Sequence, residues 1–469
     1  MSVDLSDTNY AKSGVSIFET TKTNAEVGRR LKALGMKVDG MFGGAVDITD
    51  FKGREHLYLD VTSANVVSCA EKPKEIGRSV ALTAIEDVKG EAVGSLDYIA
   101  LETMGNVVPN FVEGVAMASR ESEFNVLDGE SAKMSNTYNP GRMDAFVQVL
   151  SLREDSGVCD ITELINGMKQ PLLVGSINGT GTKTKIVRNP EDIVYHGFND
   201  IGAQGVKPIA FALYISGNVS KDELRSIDEA ADRITTQLGI AKAGSIVVNK
   251  PDIYQNGEVD IAATMIGVID KEKLITGATV QTGYSVIGIS VDGLMTNGYT
   301  LAKDIANKLI EKGEIQGRDN PVQALGGKTL KDVLSSPHRP MTDILFGNSN
   351  SKGIIPIYGS KIAGASHITG EGQLDNIIKM VPDNYKAVIM KDVLPVPAFM
   401  QLARERGWSE KELYSTFNMG VGFTLTVPSD IALGIVNYIN INFGHNAGYN
   451  RTAAVIGKIV DRGPQIELV

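Results

Sequence analysis

Cysteine is nearly absent. The 469 residues include two, Cys69 and Cys159, too few for a disulfide framework or a cysteine-rich zinc site. The five histidines (His56, His196, His338, His367 and His445) show no H-x-x-x-H spacing, so no metal centre of the His/Cys type is expected. Aromatics are sparse at 6%, with one tryptophan, which argues against a stacking platform for single-stranded nucleic acid. Net positive charge is lacking too: 46 basic against 56 acidic side chains leave −10. Such a chain is a poor binder of nucleic acid or anionic membrane, although a local basic pocket still holds a phosphate. No apolar run reaches the ~18 residues of a membrane span, and MSVDLSDTNY at the start lacks the basic-then-apolar order of a secretion signal. The expected location is the cytoplasm, with no nucleic-acid or membrane partner.

What the chain has is apolar residues and glycine. At 42% hydrophobic it has ample material for packed cores, which excludes disorder for its bulk. Its length suggests two to four domains. The 50 glycines are dispersed between apolar runs, as tight turns and close backbone approaches require. Residues 1–20 are polar, and Ser13-Gly14 breaks any early helix. Ala25–Leu34 reads as an amphipathic helix with Val27, Leu31 and Leu34 on one face, and Met41–Thr49 as a turn entering a strand. Leu57–Val67 and Pro208–Ile215 read as strands, and Lys221–Leu238 as a helix closed by Gly239.

Between about residues 55 and 275 the chain repeats itself. DGESAKMSNTY (Asp128–Tyr138) matches GSIVVNKPDIY (Gly244–Tyr254) 116 residues on, and Asp144 falls over Asp260 at the same interval. Leu96-Asp97-Tyr98 likewise falls over Ala212-Leu213-Tyr214. Further upstream, Glu86-Asp87 meets Asn199-Asp200 at an interval of 113. Each copy reads strand, helix, strand, helix, strand, strand. From about 275 onward longer helices and strands alternate without a copy. Tyr284–Ser290 reads there as a strand, Thr300–Gly313 as a helix, and VGFTLTVP followed by DIALGIVNYI as strand then helix.

Several short motifs are suited to phosphate chemistry. GSINGTGTK (Gly175–Lys183) follows an apolar strand; its glycines let amides approach phosphate oxygens and Lys183 adds a charge. The spacing is not that of a Walker loop, and a plain glycine turn is an equal reading. Asp97, Glu130, Asn199 and Asp200 are oxygen donors of the kind that hold magnesium on a nucleotide, and each taken singly is also an ordinary turn or cap residue. SHITGEG (Ser366–Gly372) places Thr369-Gly370 before an expected helix, with His367 as a donor or acid. A packing histidine is the plainer reading. Asn297 in TNGYTL and Asn418 in STFNMGVGF sit in small-residue turns.

These motifs, with YAKSGVSI, VGRRLK, Gly43-Gly44 and DNIIKMVPDNYKAVI, come in the order and contexts of one family. The chain resembles the aminoimidazole ribonucleotide synthetases, the phosphoribosylformylglycinamidine cyclo-ligases, over residues 10–53 and 170–469. Selenophosphate synthetase and thiamine-phosphate kinase share the wider fold and resemble these motifs less. The departures are informative. The acidic position of the family's glycine loop is Asn178, its Leu-Asp-Tyr is Ala212-Leu213-Tyr214, and its Gly-Gly-Glu-Thr-Ala-Glu-Met is Gly244–Lys250. A histidine before Ser-Asn-Gly is Met295, and Thr-Gly-Gly-Gly is Thr369-Gly370-Glu371-Gly372. The first copy supplies an acid where the second lost one, at Asp97 and Glu130. It has no glycine loop, since Asn65–Ala70 stands where Asn178–Lys183 stands.

The resemblance implies an α+β protein in four parts. These are a covering segment (1–54), an inserted N-terminal-type domain (55–165), a second, ATP-binding one (166–275) and a C-terminal domain (276–469). The two middle parts would pair as half-barrels within one chain, a fused form of a symmetric dimer interface, leaving a monomer or a homodimer. It implies that formylglycinamidine ribonucleotide is phosphorylated by ATP on its formamide oxygen and closed to 5-aminoimidazole ribonucleotide, releasing ADP and phosphate. ATP and Mg²⁺ are the implied cofactors. Gly179, Gly181, Thr182, Lys183, Asn199 and Asp200 would bind ATP, and Asp97, Glu130 and Asp200 the metal. Asn297, Thr369, Gly370 and Asn418 would bind substrate, and His367, Lys32 and Asp97 would be catalytic. The alternative is a degenerate, non-catalytic relative that serves as a nucleotide-binding scaffold or regulator.

Overall fold

The computed structural model describes residues 17–36, 43–69, 71–444, 452–461 and 466–469. The YAKSGVSI stretch up to Ser16, the Ser13-Gly14 break, Met41-Phe42, Ala70 and His445 lie outside the described residues. The chain divides into two compact units: residues 1–197 with 206–272, and residues 198–205 with 273–469. Among the described residues no helix is long and apolar enough to cross a membrane.

The first unit is built on β1 (Gly44–Asp47), β2 (Tyr58–Cys69), β3 (Glu91–Leu101), β4 (Asn125–Lys133) and β5 (Arg142–Arg153). It continues with β6 (Cys159–Asp160), β7 (Pro171–Gly179), β8 (Pro208–Gly217), β9 (Ala241–Asn249) and β10 (Val259–Asp270). They form two five-stranded sheets, ordered β4-β3-β5-β2-β6 and β9-β8-β10-β7-β1. The two orders match strand for strand. So does the register: Tyr98 faces Phe146 in one sheet and Tyr214 faces Ala262 in the other, each pair 116 residues apart.

Two details correct the repeat as read from sequence. Asn65 faces Phe146 while Gly179 faces Ala262, so Asn65 stands at Gly179 and not at Asn178. The helices Pro73–Glu86 and Pro190–Ala203 both open on proline, whose fixed φ suits the first helical turn. Their ends lie 117 residues apart, so Asn199 and Asp200 correspond to Leu82 and Thr83, not to Glu86 and Asp87.

Strand alternation sorts each sheet into two faces. Leu96, Tyr98, Ala100, Phe146 and Leu150 join Leu173, Ile177, Ala212, Tyr214 and Ile266 in one core shared by both sheets. Ile99, Leu101, Val147 and Val149 face the other way and pack on Val80, Phe111 and Val115, from the helices Pro73–Glu86 and Val107–Glu121. The Ile17–Ala33 helix adds Val27 and Leu31 to that layer. Its Arg30 reaches Glu113 at 2.8 Å.

Four tyrosines cross the shared core with matching partners. Tyr98 and Tyr138 donate to Asp260 at 2.9 and 3.0 Å. Tyr214 and Tyr254, each 116 residues later, donate to Asp144. Asp144 also receives the Lys250 ammonium at 2.7 Å; the residue 116 before Lys250 is Met134.

The second unit holds β11 (Ser285–Ser290), β12 (Gly364–His367), β13 (Tyr385–Ile389), β14 (Val421–Val427), β15 (Ala453–Asp461) and β16 (Ile466–Leu468). They form one sheet ordered β12-β14-β11-β15-β13-β16. Val286, Ile377, Ala387, Val421 and Ile456 lie in one of its cores. The Tyr299–Glu311 and Ser429–Phe443 helices lie where the sequence reading put helices.

Candidate active site

The second unit gathers polar side chains from four separate stretches. β12 ends on His367, fully buried because its strand neighbour β14 covers it at Phe423. Its Nδ1 lies 2.7 Å from Asp200 Oδ1, and its Nε2 lies 3.2 Å from His338 Nε2. His338, also buried, meets Asn199 Nδ2 at 3.0 Å and, through Nδ1, Thr296 Oγ1 at 3.1 Å. Thr296 continues to Asn297 Oδ1 at 3.3 Å. Backbone geometry sets the turn that carries Thr296 and Asn297. Met295 has φ 62° and Gly298 φ 78°, which turns the chain from β11 into the Tyr299–Glu311 helix.

Of the residues expected to bind substrate, two meet. A Cβ added to Gly370 would lie 3.3 Å from Asn297 Nδ2, so glycine lets that amide come close. Thr369 donates to Asn376 Oδ1 at 3.2 Å, in the Gly372–Ile378 helix. Asn418 is buried and turned inward, donating to the Gly293 carbonyl at 2.8 Å and accepting from Gly420 N–H at 2.9 Å. Its side chain holds turns together. His367 has both ring nitrogens engaged and no exposed surface.

The residues expected around ATP and metal fare differently. Asp97 and Glu130, read as ligands of one magnesium ion, point to opposite faces of their sheet. Asp97 lies across from Gly129, and Glu130 from Tyr98; cross-strand partners share a face and strand neighbours alternate. Tyr98 faces the shared core, so Glu130 takes that side and Asp97 the helix side with Ile99. Asp97 has both oxygens buried without a hydrogen-bond partner. Burial, with the Asp128 charge adding to it, pushes its carboxyl up to about 8. Asp97 and Glu130 therefore do not fit one magnesium ion.

Gly179 ends β7 against Tyr98, whose ring carbon would lie 2.9 Å from an added Cβ; its smallness serves packing. Gly181 is left-handed at φ 59°, with nothing within 4 Å of where a Cβ would sit. Thr182 is half-buried in the short helical turn Gly181–Lys185. Lys183 is fully buried and pairs with Asp192 at 2.7 Å. Burial pulls its ammonium below the usual lysine range, with Asp192 opposing the shift. Lys32 lies exposed on its helix, on the face away from Val27 and Leu31. The residue that sequence reasoning missed is His338. It sits in an irregular segment beside Pro337 and Pro340, with no spacing to any other histidine, and its partners lie 29 to 139 residues away.

Similarity to known proteins agrees with this architecture. Residues 155–269 match the family model described as AIR synthase related protein, N-terminal domain, and residues 351–468 the corresponding C-terminal domain. The phosphoribosylformylglycinamidine cyclo-ligase of Geobacter sulfurreducens is 30% identical over 313 residues, 65% of this chain and 84% of the relative. That of Pseudothermotoga lettingae is 31% identical over 307 residues, 64% and 84%. Among solved structures, E. coli HypE aligns at 15% identity and TM-score 0.47 over 67% of this chain and 87% of that one. The class is thus that of the AIR synthase related proteins. The chain belongs to the AIR synthase family, as a divergent member.

Proposed function

We propose that this protein is an ATP-dependent cyclo-ligase that converts formylglycinamidine ribonucleotide to 5-aminoimidazole ribonucleotide in purine biosynthesis. One observation carries the reading: relatives bearing that name are 30–31% identical over 84% of their own length. In the reaction, ATP transfers its terminal phosphoryl group to the formamide oxygen, which then departs as phosphate when the amidine nitrogen closes the ring. The chain's part is to position the reactants, as effective concentration and orientation lower such barriers. Asn297, Thr369 and Gly370 are the residues proposed to hold the ribonucleotide. The Gly179–Lys183 turn is the place proposed for ATP phosphates. The open space beside Gly181 supports it, and Lys183 would exchange Asp192 for a phosphate oxygen.

The matched strand orders and register support a second part of the proposal, that the first unit comprises two copies of the family's N-terminal domain fused in one chain. One chain would then bind one nucleotide, in the cytoplasm, as a monomer or a homodimer. Purified protein given formylglycinamidine ribonucleotide, ATP and a divalent cation is expected to release phosphate and a diazotisable amine in equal amounts. Absence of turnover across a wide pH and metal range would sink the cyclo-ligase reading. A second reading is favoured by the opposite orientation of Asp97 and Glu130: a nucleotide-binding scaffold without turnover. Calorimetry with a non-hydrolysable ATP analogue, giving binding but no phosphate release with ATP itself, would select it.

A further inference from the structure

Asp200, His367, His338, Thr296 and Asn297 form one hydrogen-bonded file, and His338 joins its two halves. We infer that His338 is a positioning residue that holds the Met295–Gly298 turn and thereby sets the Asn297 amide against Gly370. What Asn297 would bind rests on the cyclo-ligase reading; the positioning itself does not.

Asn199 has its amide orientation set by backbone groups that have one role each. Its Oδ1 accepts from Met341 N–H at 2.9 Å, and its Nδ2 donates to the Arg339 carbonyl at 3.0 Å. The other Nδ2 hydrogen is then left for His338 Nε2, 3.0 Å away. That nitrogen must be the acceptor, so the ring proton of neutral His338 sits on Nδ1. Nδ1–H donates to Thr296 Oγ1, which frees the hydroxyl hydrogen for Asn297 Oδ1. With Oδ1 committed as acceptor, Asn297 Nδ2 is the atom turned toward Gly370. Each donor and acceptor from Met341 to Asn297 is thus fixed by the one before it. On its other side His338 Nε2 lies 3.2 Å from His367 Nε2, whose ring gives its Nδ1 hydrogen to Asp200 Oδ1 at 2.7 Å.

The turn needs holding. Met295 is buried with φ 62°, a left-handed conformation that costs a non-glycine residue on the order of 1 kcal/mol or more. Tyr299 follows the same turn and donates its hydroxyl to the Leu334 carbonyl at 2.8 Å, with the Met295 carbonyl at 3.3 Å. A role in packing alone is better served by an apolar side chain, because burying a polar ring has a desolvation cost.

Two half-conservative variants separate the arms of the ring. His338→Asn keeps an N–H near the Nδ1 position and loses the Nε2 arm. His338→Gln places an oxygen near the Nε2 position and loses the link to Thr296. In full-length protein labelled with ¹⁵N-histidine, His338 is expected as the Nδ1–H form with a bare Nε2. The side-chain amide signal of Asn297 is expected to move in His338→Gln and to stay in His338→Asn. In steady-state assays KM for the ribonucleotide should rise about tenfold in the Gln variant, the worth of one lost hydrogen bond, with kcat nearly unchanged and the Asn variant close to the parent. If the parent itself shows no turnover, the cyclo-ligase reading fails while the two spectroscopic readouts still decide the positioning role. An Nε2–H form of His338 in the parent protein would overturn the inference even where both variants fail to fold. Equal displacement of the Asn297 signal by the two variants would overturn it as well.

Discussion

Asp144 and Asp260 occupy matching places in the shared core, each held by one tyrosine of the opposite sheet and one from the segment beside it, and differ in one neighbour. Asp144 has the Lys250 ammonium. Asp260 has Met134 at the equivalent position, and its Oδ1 is buried without a partner. Burial pushes the Asp260 carboxyl up to about 6, with the Tyr98 hydroxyl opposing the shift. An unfolded aspartate titrates near 3.9, so the folded form holds its proton the more tightly. That stabilisation is full below the unfolded value and is lost as pH rises through about 6, to a total of about 3 kcal/mol. Urea unfolding midpoints are therefore expected to fall between pH 4 and 7 through this group. Met134→Lys should place an ammonium beside Asp260 Oδ1 and shrink that fall by at least half; a variant as pH-sensitive as the parent contradicts the account. Lys250→Met leaves Asp144 with its two tyrosine donors and no cation, with an expected cost of about 3–5 kcal/mol.

Elements were legible where their ends are set locally. The Lys221–Leu238 helix matches its sequence reading at both ends, because Ser220 accepts from Glu223 N–H and Gly239 takes the left-handed C-terminal conformation. Ser220→Ala is expected to lower stability by about 1 kcal/mol, read as a drop in the thermal midpoint. The Gly179 end of β7 carries a sharper test. If its glycine serves the Tyr98 ring, Gly179→Ala should displace Tyr98 from Asp260 and cost about 1–3 kcal/mol, with weakened nucleotide binding only as a consequence of lost fold. Full stability with lost nucleotide binding would instead assign this glycine to the phosphate cradle. The repeat interval slipped at the Pro190–Ala203 helix for a physical reason. Both helices are anchored by an opening proline, and aligning two small acidic dipeptides across a loop ignored that anchor.

At the scale of the molecule, the inner faces of both sheets in the first unit pack on each other in one shared core. A fragment of residues 55–165 would expose Leu96, Tyr98, Phe146 and Leu150 to water, an apolar patch of the kind that drives association. It is expected to sediment as a dimer or larger, since its strand order matches that of the partner it has lost. A monomeric fragment with a cooperative unfolding transition would show that the shared core is dispensable. The second unit claims residues 198–205, which the sequence reading assigned to the ATP-binding domain, and so places Asn199 and Asp200 beside His338 and His367.

The amino-acid order by itself determined the family and several strands and helices, and it suggested the 116-residue repeat, because periodicity, capping and motif spacing act over a few residues to a few turns. The direction each side chain takes was decided by the tertiary structure. Asp97 and Glu130 read as one metal pair until strand pairing put them on opposite faces, a one-residue matter of parity that needs the partner strand to be known. Lys183 read as a phosphate ligand, and folding gave it Asp192 as a buried partner. His338 carried no local signal at all, since its environment is assembled from Asn199, Thr296 and His367, and only packing brings such distant residues within hydrogen-bond range.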